Sequence, residues 1–526
     1  MPPTTRTSSI VSSEKKLEDG GATTGVLAVV EADNTLHTID EKDQDEALRL
    51  AGAERQVFTQ EEMDAVKRKV DRRIIPLLAA VYFSQFLDKN SLNYSSVMGL
   101  PIKGEHYNLV SMSFYLSFLI FELPTGWISQ HFPLAKYLGV NILLWATFLI
   151  LHAASADFGP FFAMRFLLGM CEACVSPILI AIIAGWYRKE EQSKRIGCFY
   201  IQNGVTQIIG SLIAVGTLQY SGSAISHWRI IYFILGGMAF IVGAAVLIWL
   251  PDSPATAKFL TEREKLIALE RVRDNQTGTR NRTFKWYQAR EAVFDEKMWL
   301  IVFLVMLTVI PNGALASFNS IMIKGFGFTS ETSLLLNLPE GCFLAFSIFG
   351  CCYWADKTNR RTIPMLGALI PTIFGLGLVI GFAGSGNKAA LVVGICFAQC
   401  YGAVLCLMYA FSAANIAGST KKSVFNAIFL LSFALANVIG TQILRPETAP
   451  GYLPGKIVIL VLFSAAVPTI LAMSWYIGRL NKKKDEKLAE LIAANGWTED
   501  DVRREADKAA FADLTDKENP FARYLR

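Results

Sequence analysis

Charge is scarce in this chain, and signatures for binding nucleotides or metals are missing. Asp, Glu, Lys and Arg make up 18% of its 526 residues, against about 25% in an ordinary soluble domain, which argues against a water-soluble globule. No Gly-x-x-x-x-Gly-Lys-Ser/Thr run occurs, which excludes a P-loop ATPase. The five histidines do not cluster and no Cys/His spacing suits zinc, so neither a metal centre nor a cofactor is expected and no enzyme class is indicated. No repeated filter-like segment points to a pore-type channel. No basic cluster interleaved with aromatics lies in a polar segment, which removes a nucleic-acid surface. The start, Met1-Pro-Pro-Thr-Thr-Arg6, leads into a long polar stretch without an apolar leader, so no cleavable signal peptide is expected. The nine cysteines, Cys171, Cys174, Cys198, Cys342, Cys351, Cys352, Cys396, Cys400 and Cys406, all lie in apolar stretches. They read as packing residues rather than disulfide partners.

What the chain has is apolar length. Hydrophobic residues make up 52%, and the mean hydropathy is +0.36. Blocks long enough to cross ~30 Å of hydrocarbon fall at 75–97, 109–129, 134–154, 161–185, 197–219, 228–250, 299–322, 333–355, 362–383, 389–416, 424–444 and 457–479. The expected fold is an all-α membrane protein of twelve transmembrane helices in two six-helix bundles, at 71–251 and 299–480. A charged central loop, 252–298, joins them. A disordered N-terminal tail, 1–70, carries one short helix near 59–73. A polar C-terminal tail, 481–526, carries a short helix at Leu488–Ala494 and is otherwise loosely held. Lys67 to Arg73, Arg188 to Arg195, the central loop, Lys357 to Arg361, Lys421, Lys422 and Lys482 to Lys484 fall on one side of this arrangement. The positive-inside rule puts that side, and both termini, in the cytosol. The sequons at Asn275 and Asn281 are then cytosolic and unglycosylated.

Charge inside a span is costly, about 2.5–3.5 kcal/mol at a helix centre, so the charges that persist there are the candidate site. The first span carries Asp88-Lys89-Asn90. Counting from Ile75 at ~1.5 Å per residue sets Asp88 ~20 Å deep. The fourth carries Arg165 and Glu172, seven residues apart on one helix face. If spans one and four are neighbours, two acids and two bases share a layer. A carboxyl group in a low-dielectric cavity can load and release a proton near neutral pH. A cation beside it can exchange that carboxylate for an anionic cargo, which is the logic of a proton-coupled anion carrier. A permanent buried ion pair that only fixes packing is the alternative. Interior amides, chiefly Gln202 and Asn203 with Asn312 and Asn437, are expected substrate contacts, and Glu122 is expected to brace a gate. Glu340 is assigned no role.

Several segments together resemble a known family. They are Phe86-Leu-Asp88-Lys89-Asn-Ser-Leu-Asn93, Arg165-Phe-Leu-Leu-Gly-Met-Cys-Glu172, Leu250-Pro-Asp-Ser-Pro254, Phe284-Lys-Trp286, Gly325-Phe-Gly-Phe328, Asn415-Ile-Ala-Gly418-Ser-Thr-Lys-Lys422 and Ala512-Asp-Leu-Thr-Asp-Lys-Glu-Asn-Pro520. The chain is similar, over about residues 60–526, to the fungal allantoate permease family. That family lies in the anion:cation symporter group of the major facilitator superfamily. The resemblance implies the major facilitator fold and alternating-access uptake of a small organic anion (ureide, vitamin or other carboxylate) with protons. A monomer in the plasma membrane is expected. By the same resemblance Asp88 and Glu172 couple protons and Lys89 meets the substrate carboxylate, and Arg165, from the charge layer itself, is a further expected substrate contact. Lys89 stands where bacterial relatives carry Arg, which trades a bidentate fork for a point charge. The superfamily loop motif lacks its acid at Gly126-Trp-Ile-Ser-Gln130-His131 but keeps its charges at Asp356, Arg360 and Arg361, expected gate residues. Two other readings stay open: export of a metabolite or toxin from a biosynthetic pathway, and a receptor-like nutrient sensor. The fifth span lacks the Gly-Pro motif of proton-driven drug exporters, which weighs against efflux.

Overall fold

The computed structural model describes residues 27–30, 36–39, 58–129, 131–188, 191, 195, 202–222, 224–273, 285–496, 498–502 and 514–525. Cys198 and the sequons at Asn275 and Asn281 lie outside the described residues, as do Gln130 and Phe284 of the motifs above. So does most of the expected N-terminal tail. Within it the backbone forms a short antiparallel pair, β1 (Leu27–Val30) and β2 (Leu36–Ile39).

The expected short helix near 59–73 is the opening of a continuous helix, α1 (Gln60–Val97). Thr59 and Glu62 start it with a reciprocal capping box, which satisfies two otherwise orphan N–H groups. The N-terminal half continues with α2 (Glu105–Ile128), α3 (Leu134–His152), α4 (Phe158–Glu172), α5 (Val175–Trp186), α6 (Gln202–Leu218) and α7 (His227–Trp249). The chain then forms α8 (Glu262–Arg273) and α9 (Trp286–Val293). The C-terminal half contains α10 (Glu296–Gly325), α11 (Ser330–Leu335), α12 (Asn337–Thr358), α13 (Thr362–Gly381), α14 (Lys388–Ala398), α15 (Gly402–Asn415), α16 (Ser419–Gly440) and α17 (Leu453–Asn495). Among the described residues, nine helical stretches are long and apolar enough to cross a membrane. The helices α1, α2 and α6 pack among them, consistent with twelve spans in two halves. Ile241, Ile248, Phe346 and Phe349 are at least two-thirds exposed, as lipid-facing positions would be.

Among the described residues, three spans are interrupted. The fourth unwinds at Ala173 and Cys174, directly after Glu172. Pro177 has no N–H to return to the Ala173 carbonyl, and that local gap accounts for the break. Leu336 separates α11 from α12, with Pro339 in the first turn of α12, a position that tolerates proline. The tenth span tightens into a 3₁₀ turn at Gln399–Tyr401.

The central segment divides between the halves. Its helix α8 ties to the N-terminal half through Lys69–Glu264 at 2.7 Å and Arg271–Glu191 at 2.9 Å. Its helix α9 ties to the C-terminal half, where Lys421 meets Glu291 at 2.8 Å. Before α8, the Asp252 carboxylate accepts from the N–H groups of Ala135 (2.9 Å) and Lys136 (3.3 Å). It supplies a negative charge to the N-terminus of α3, close to where the loop motif after the second span lacks its acid.

The C-terminal segment is more ordered than its polarity suggests. Residues 481–495 continue α17 rather than forming a separate short helix. Residues 514–525 pack back against the C-terminal half. Lys484 Nζ donates to the carbonyls of Asp516, Asn519 and Ala522. Asn415 and Leu525 exchange two hydrogen bonds, as do Asn481 and Tyr524.

The two halves meet at the end of the molecule remote from the chain termini, here the far end. Tyr107 Oη donates to the Ser317 carbonyl at 2.6 Å, Asn108 Nδ2 to the Leu444 carbonyl at 3.0 Å, and the Ser320 N–H to Asn93 Oδ1 at 3.0 Å. Mid-depth, α6 crosses α12 with backbones nearly touching. A methyl group on Gly204 would lie 2.8 Å from the Ala345 Cβ, and one on Gly341 would lie 3.1 Å from the Gly204 carbonyl. Small residues at both positions permit that approach.

Candidate functional site

The sequence-predicted charges do come together, but not as a simple ring of ion pairs. Asp88 and Glu172 are 0% exposed. All four of their carboxylate oxygens lack a hydrogen-bond partner among the described residues. Glu172 and Arg165 act electrostatically on Asp88, and the Trp145 indole lies beside it. Spans one and four are indeed neighbours, since Gln85 Nε2 donates to the Glu172 main-chain carbonyl at 3.4 Å.

Arg165 directs its fork at backbone rather than at the acids. One guanidinium nitrogen donates to the Asp88 carbonyl (3.3 Å) and to Ser91 Oγ (3.4 Å), and the other to the Lys89 carbonyl (3.1 Å). Its plane sits 5.0 Å from the Phe114 ring centroid. It is 3% exposed. It therefore neutralises the layer through space while clamping the turn that carries Asp88 and Lys89.

Lys89 makes no ion pair with the acids, although it acts on Glu172 through space. Its ammonium rests 5.5 Å from the Phe86 ring centre and 5.4 Å from that of Tyr115, and it forms no ion pair among the described residues. It lines a cavity of ≈ 150 Å³ between the two halves. Lys89 also borders, with Arg165, a much smaller space of ≈ 10 Å³, so it is a charged residue that lines both the cavity and the space beside the charged layer. A cavity near 150 Å³ is the size at which benzene-sized molecules bind.

The amides predicted from sequence separate into two groups. Asn203 lines the cavity, and its Oδ1 has no partner; Gln202 does not line it. Asn312 lines the cavity with both ends of its amide engaged. It donates to Asn437 Oδ1 and accepts from Tyr401 Oη, each at 2.9 Å. Asn437 is 0% exposed and donates to the Phe433 carbonyl, so it acts as interhelical glue behind Asn312.

Sequence reasoning missed a second polar cluster on the opposite wall. Glu340 is 1% exposed. Its Oε2 accepts from Asn319 Nδ2 (2.6 Å), Gln399 Nε2 (2.9 Å) and Gln207 Nε2 (3.4 Å). Those three amides, with Asn90, Asn93, Tyr94 and Asn337, line the cavity. The signal available in sequence was an acid in an apolar span, the same signal that singled out Asp88.

The expected gate residues lie elsewhere. Glu122 is 8% exposed on α2. Asp356 and Arg361 pair at 3.0 Å in the turn between α12 and α13, with Asp356 78% exposed, and Arg360 is exposed beside them. Where α9, α10, α16 and the C-terminal segment converge, Glu291, Asp295 and Asp516 stand close enough to hold a cation. Lys421 provides it, at 2.8, 2.7 and 2.7 Å from the three carboxylates. Lys297 and Tyr524 Oη also reach Asp516.

Two interlocked helical halves around a polar cavity are the architecture of a membrane transporter. The Major Facilitator Superfamily family model matches residues 75–441. The chain is 32% identical to the allantoate permease of Saccharomyces cerevisiae, over 97% of this chain and 95% of that protein. It is 31% identical to the thiamine pathway transporter THI73 of the same yeast, with 95% of each chain covered. An uncharacterized transporter of Schizosaccharomyces pombe is 33% identical over 87% of this chain and 88% of its own. The chain belongs to the major facilitator superfamily and, within it, to the family of the allantoate permease. In fold it is similar to a bacterial homologue of the human lysosomal transporter Spinster, in an inward-facing and occupied conformation. That likeness has TM-score 0.59 and 13% identity, and it covers 76% of this chain and 96% of the other.

Proposed function

We propose that this transporter takes up a small organic anion together with protons, by alternating access across the plasma membrane with both termini in the cytosol. The reading rests on one observation above the others: Lys89 presents an ammonium without a carboxylate partner to the cavity. A membrane-buried cation that is not paired internally is a ready partner for a cargo carboxylate. Behind it, Asp88 and Glu172 are buried without a well-formed hydrogen bond to either carboxylate, the Trp145 indole and Gln85 amide lying near them. In that setting an acid gains by holding a proton. Cargo bound at Lys89 and a proton held one residue away would then favour each other's binding.

In this reading the far end, where Tyr107, Asn108, Ser317 and Leu444 join the halves, faces outward and is closed. The cavity belongs to a state that exchanges with the cytosol. The test is accumulation of labelled candidate acids in cells lacking competing permeases, at external pH 5 and pH 8. Accumulation should be greater at pH 5 and should collapse with a protonophore. Equal accumulation at both, untouched by the protonophore, would remove proton coupling.

A further inference from the structure

The cluster around Glu340 gives the part of the cavity lined by Gln207, Asn319 and Gln399 a fixed polarity. A carboxyl oxygen that carries no proton accepts hydrogen bonds and donates none. Amides packed against it must therefore turn their NH₂ ends toward it. Gln207, Asn319 and Gln399 all do so, converging on Oε2. Their oxygens are left pointing the other way. None of these oxygens accepts a hydrogen bond among the described residues, and all three side chains line the cavity.

The three amides are not held equally. Asn319 also donates to Asn337 Oδ1 at 2.9 Å. The orientation of Asn337 is set independently, because its NH₂ donates to the carbonyls of Ser333 and Leu334. Asn319 would therefore keep its orientation without Glu340. Gln399 and Gln207 have no other acceptor for their NH₂ groups among the described hydrogen bonds. Gln207 comes from the N-terminal half, delivered by the close Gly204–Gly341 crossing one residue from Glu340.

We propose that Glu340 is a positioning residue for substrate selectivity, turning Gln207 and Gln399 into a wall of hydrogen-bond acceptors. The cavity thereby selects small carboxylates whose other end bears amide-type N–H donors. The inference rests on the reading above, in which Lys89 takes the carboxylate. Glu340 does not itself line the cavity, so it acts through the two glutamines.

An isosteric pair of acids tests this. Succinamate ends in an amide NH₂, and levulinate carries a methyl group in its place; both have a carboxylate at the other end. Binding of each is measured by calorimetry on the full-length protein in lipid nanodiscs. The wild type is expected to prefer succinamate by about tenfold, the scale of one or two well-made hydrogen bonds. Glu340→Gln brings an NH₂ of its own into the cluster and frees the glutamines to flip. The preference should shrink to about twofold, with levulinate affinity unchanged. Should that variant fail to fold, a Gln207→Met/Gln399→Met variant, which leaves Glu340 in place, should lose the same preference. Equal wild-type affinities, binding of neither acid, or a preference that survives these substitutions would overturn the proposal. Failure of the underlying reading looks different: Lys89→Gln would leave levulinate affinity untouched while the amide preference stood.

Discussion

At the terminal end of the C-terminal half, Lys421 touches three carboxylates, and Lys297 and Tyr524 complete the coordination of Asp516. At mid-membrane in the N-terminal half, Asp88 and Glu172 accept no well-formed hydrogen bond, with the Trp145 indole and the Gln85 amide nearby, Lys89 pairs with no acid, and Arg165 spends its fork on two main-chain carbonyls and Ser91. Both groups are buried charge in one chain, yet one is saturated and the other is left open. A saturated cluster has one low-energy arrangement and holds its helices together. An open one has partners still to find, and under the proposed function these are a proton and an anion. Burial of charge alone therefore does not set the proposed site apart; the unfilled valence does.

Breaking the saturated cluster should have the largest effect. Lys421→Met leaves Glu291, Asp295 and Asp516 facing one another without their central cation. Removing one partner of a buried ion cluster costs about 3–5 kcal/mol. Thermal unfolding of the purified variant should show a large loss of stability, with little protein reaching the membrane. A variant as stable as the wild type would show that this cluster is no more than decoration.

The open layer should respond differently, in function before stability. Lys89→Gln should weaken substrate affinity by ~2–5 kcal/mol, about 30-fold or more, in protein that still reaches the membrane. Lys89→Arg should retain part of the affinity. If Lys89 instead serves only to offset the acids, the Gln variant will be retained inside the cell. Adding Glu172→Gln would then restore its surface level with affinity unchanged. Glu172→Gln alone should abolish concentrative uptake while leaving exchange of substrate across the membrane, because the amide keeps size and hydrogen bonding but releases no proton. Normal pH-driven accumulation by this variant would make Glu172 a structural acid.

Those predictions start from residues visible in the sequence, and the contrast between visible and hidden residues has a physical basis. Membrane insertion penalises charge one residue at a time, so Asp88, Lys89, Arg165 and Glu172 stand out singly against apolar neighbours. The spans likewise follow from apolar length. What could not be read is which groups meet. Glu340 was seen, but its donors come from α6, α10 and the turn at Gln399, three segments far apart in sequence. Nothing in Asn312 and Asn437 shows that they satisfy each other rather than a ligand. The C-terminal segment reads as loose because it is polar, yet its polar groups are what dock it. Asp516 finds two lysines and Tyr524 only once the helices are assembled.

That docking gives a smaller, pH-specific expectation. Burial works to raise the Asp516 carboxyl, but Lys297 and Lys421 outweigh it and hold the group at about 2. Its unfolded value is near 3.9. A depressed folded value means the contribution to stability is complete above about pH 4 and is lost as the pH falls toward 2. The C-terminal segment should therefore stay docked at every pH at which uptake is measured. Asp516→Asn keeps the shape but weakens two charge-assisted contacts, for a loss of about 1–3 kcal/mol. Protease sensitivity of the segment, compared between the two proteins at pH 5 and pH 8, reads this directly. Release of the wild-type segment on moving from pH 8 to pH 5 would contradict it.

The smallest effect should come from the charge pair that the superfamily motif nominates as a gate. Asp356 and Arg361 meet at 3.0 Å, but Asp356 is 78% exposed, and its carboxylate gains little from a pairing that water can replace. Exposed pairs are generally worth under about 1 kcal/mol. The described contact also stays within one turn, between α12 and α13, and does not join the two halves in this conformation. Asp356→Asn should therefore leave thermal stability and substrate binding close to wild type. Transport rate is the separate readout. A gate that closes the terminal end would use this acid only in the opposite, outward-open state. Loss of the acid would then slow turnover without changing binding in the inward state. Unchanged turnover would place the pair with ordinary surface charges. A slowed rate at normal stability and affinity would instead add a third kind of charge to the comparison: one that is idle in this conformation and engaged in the other.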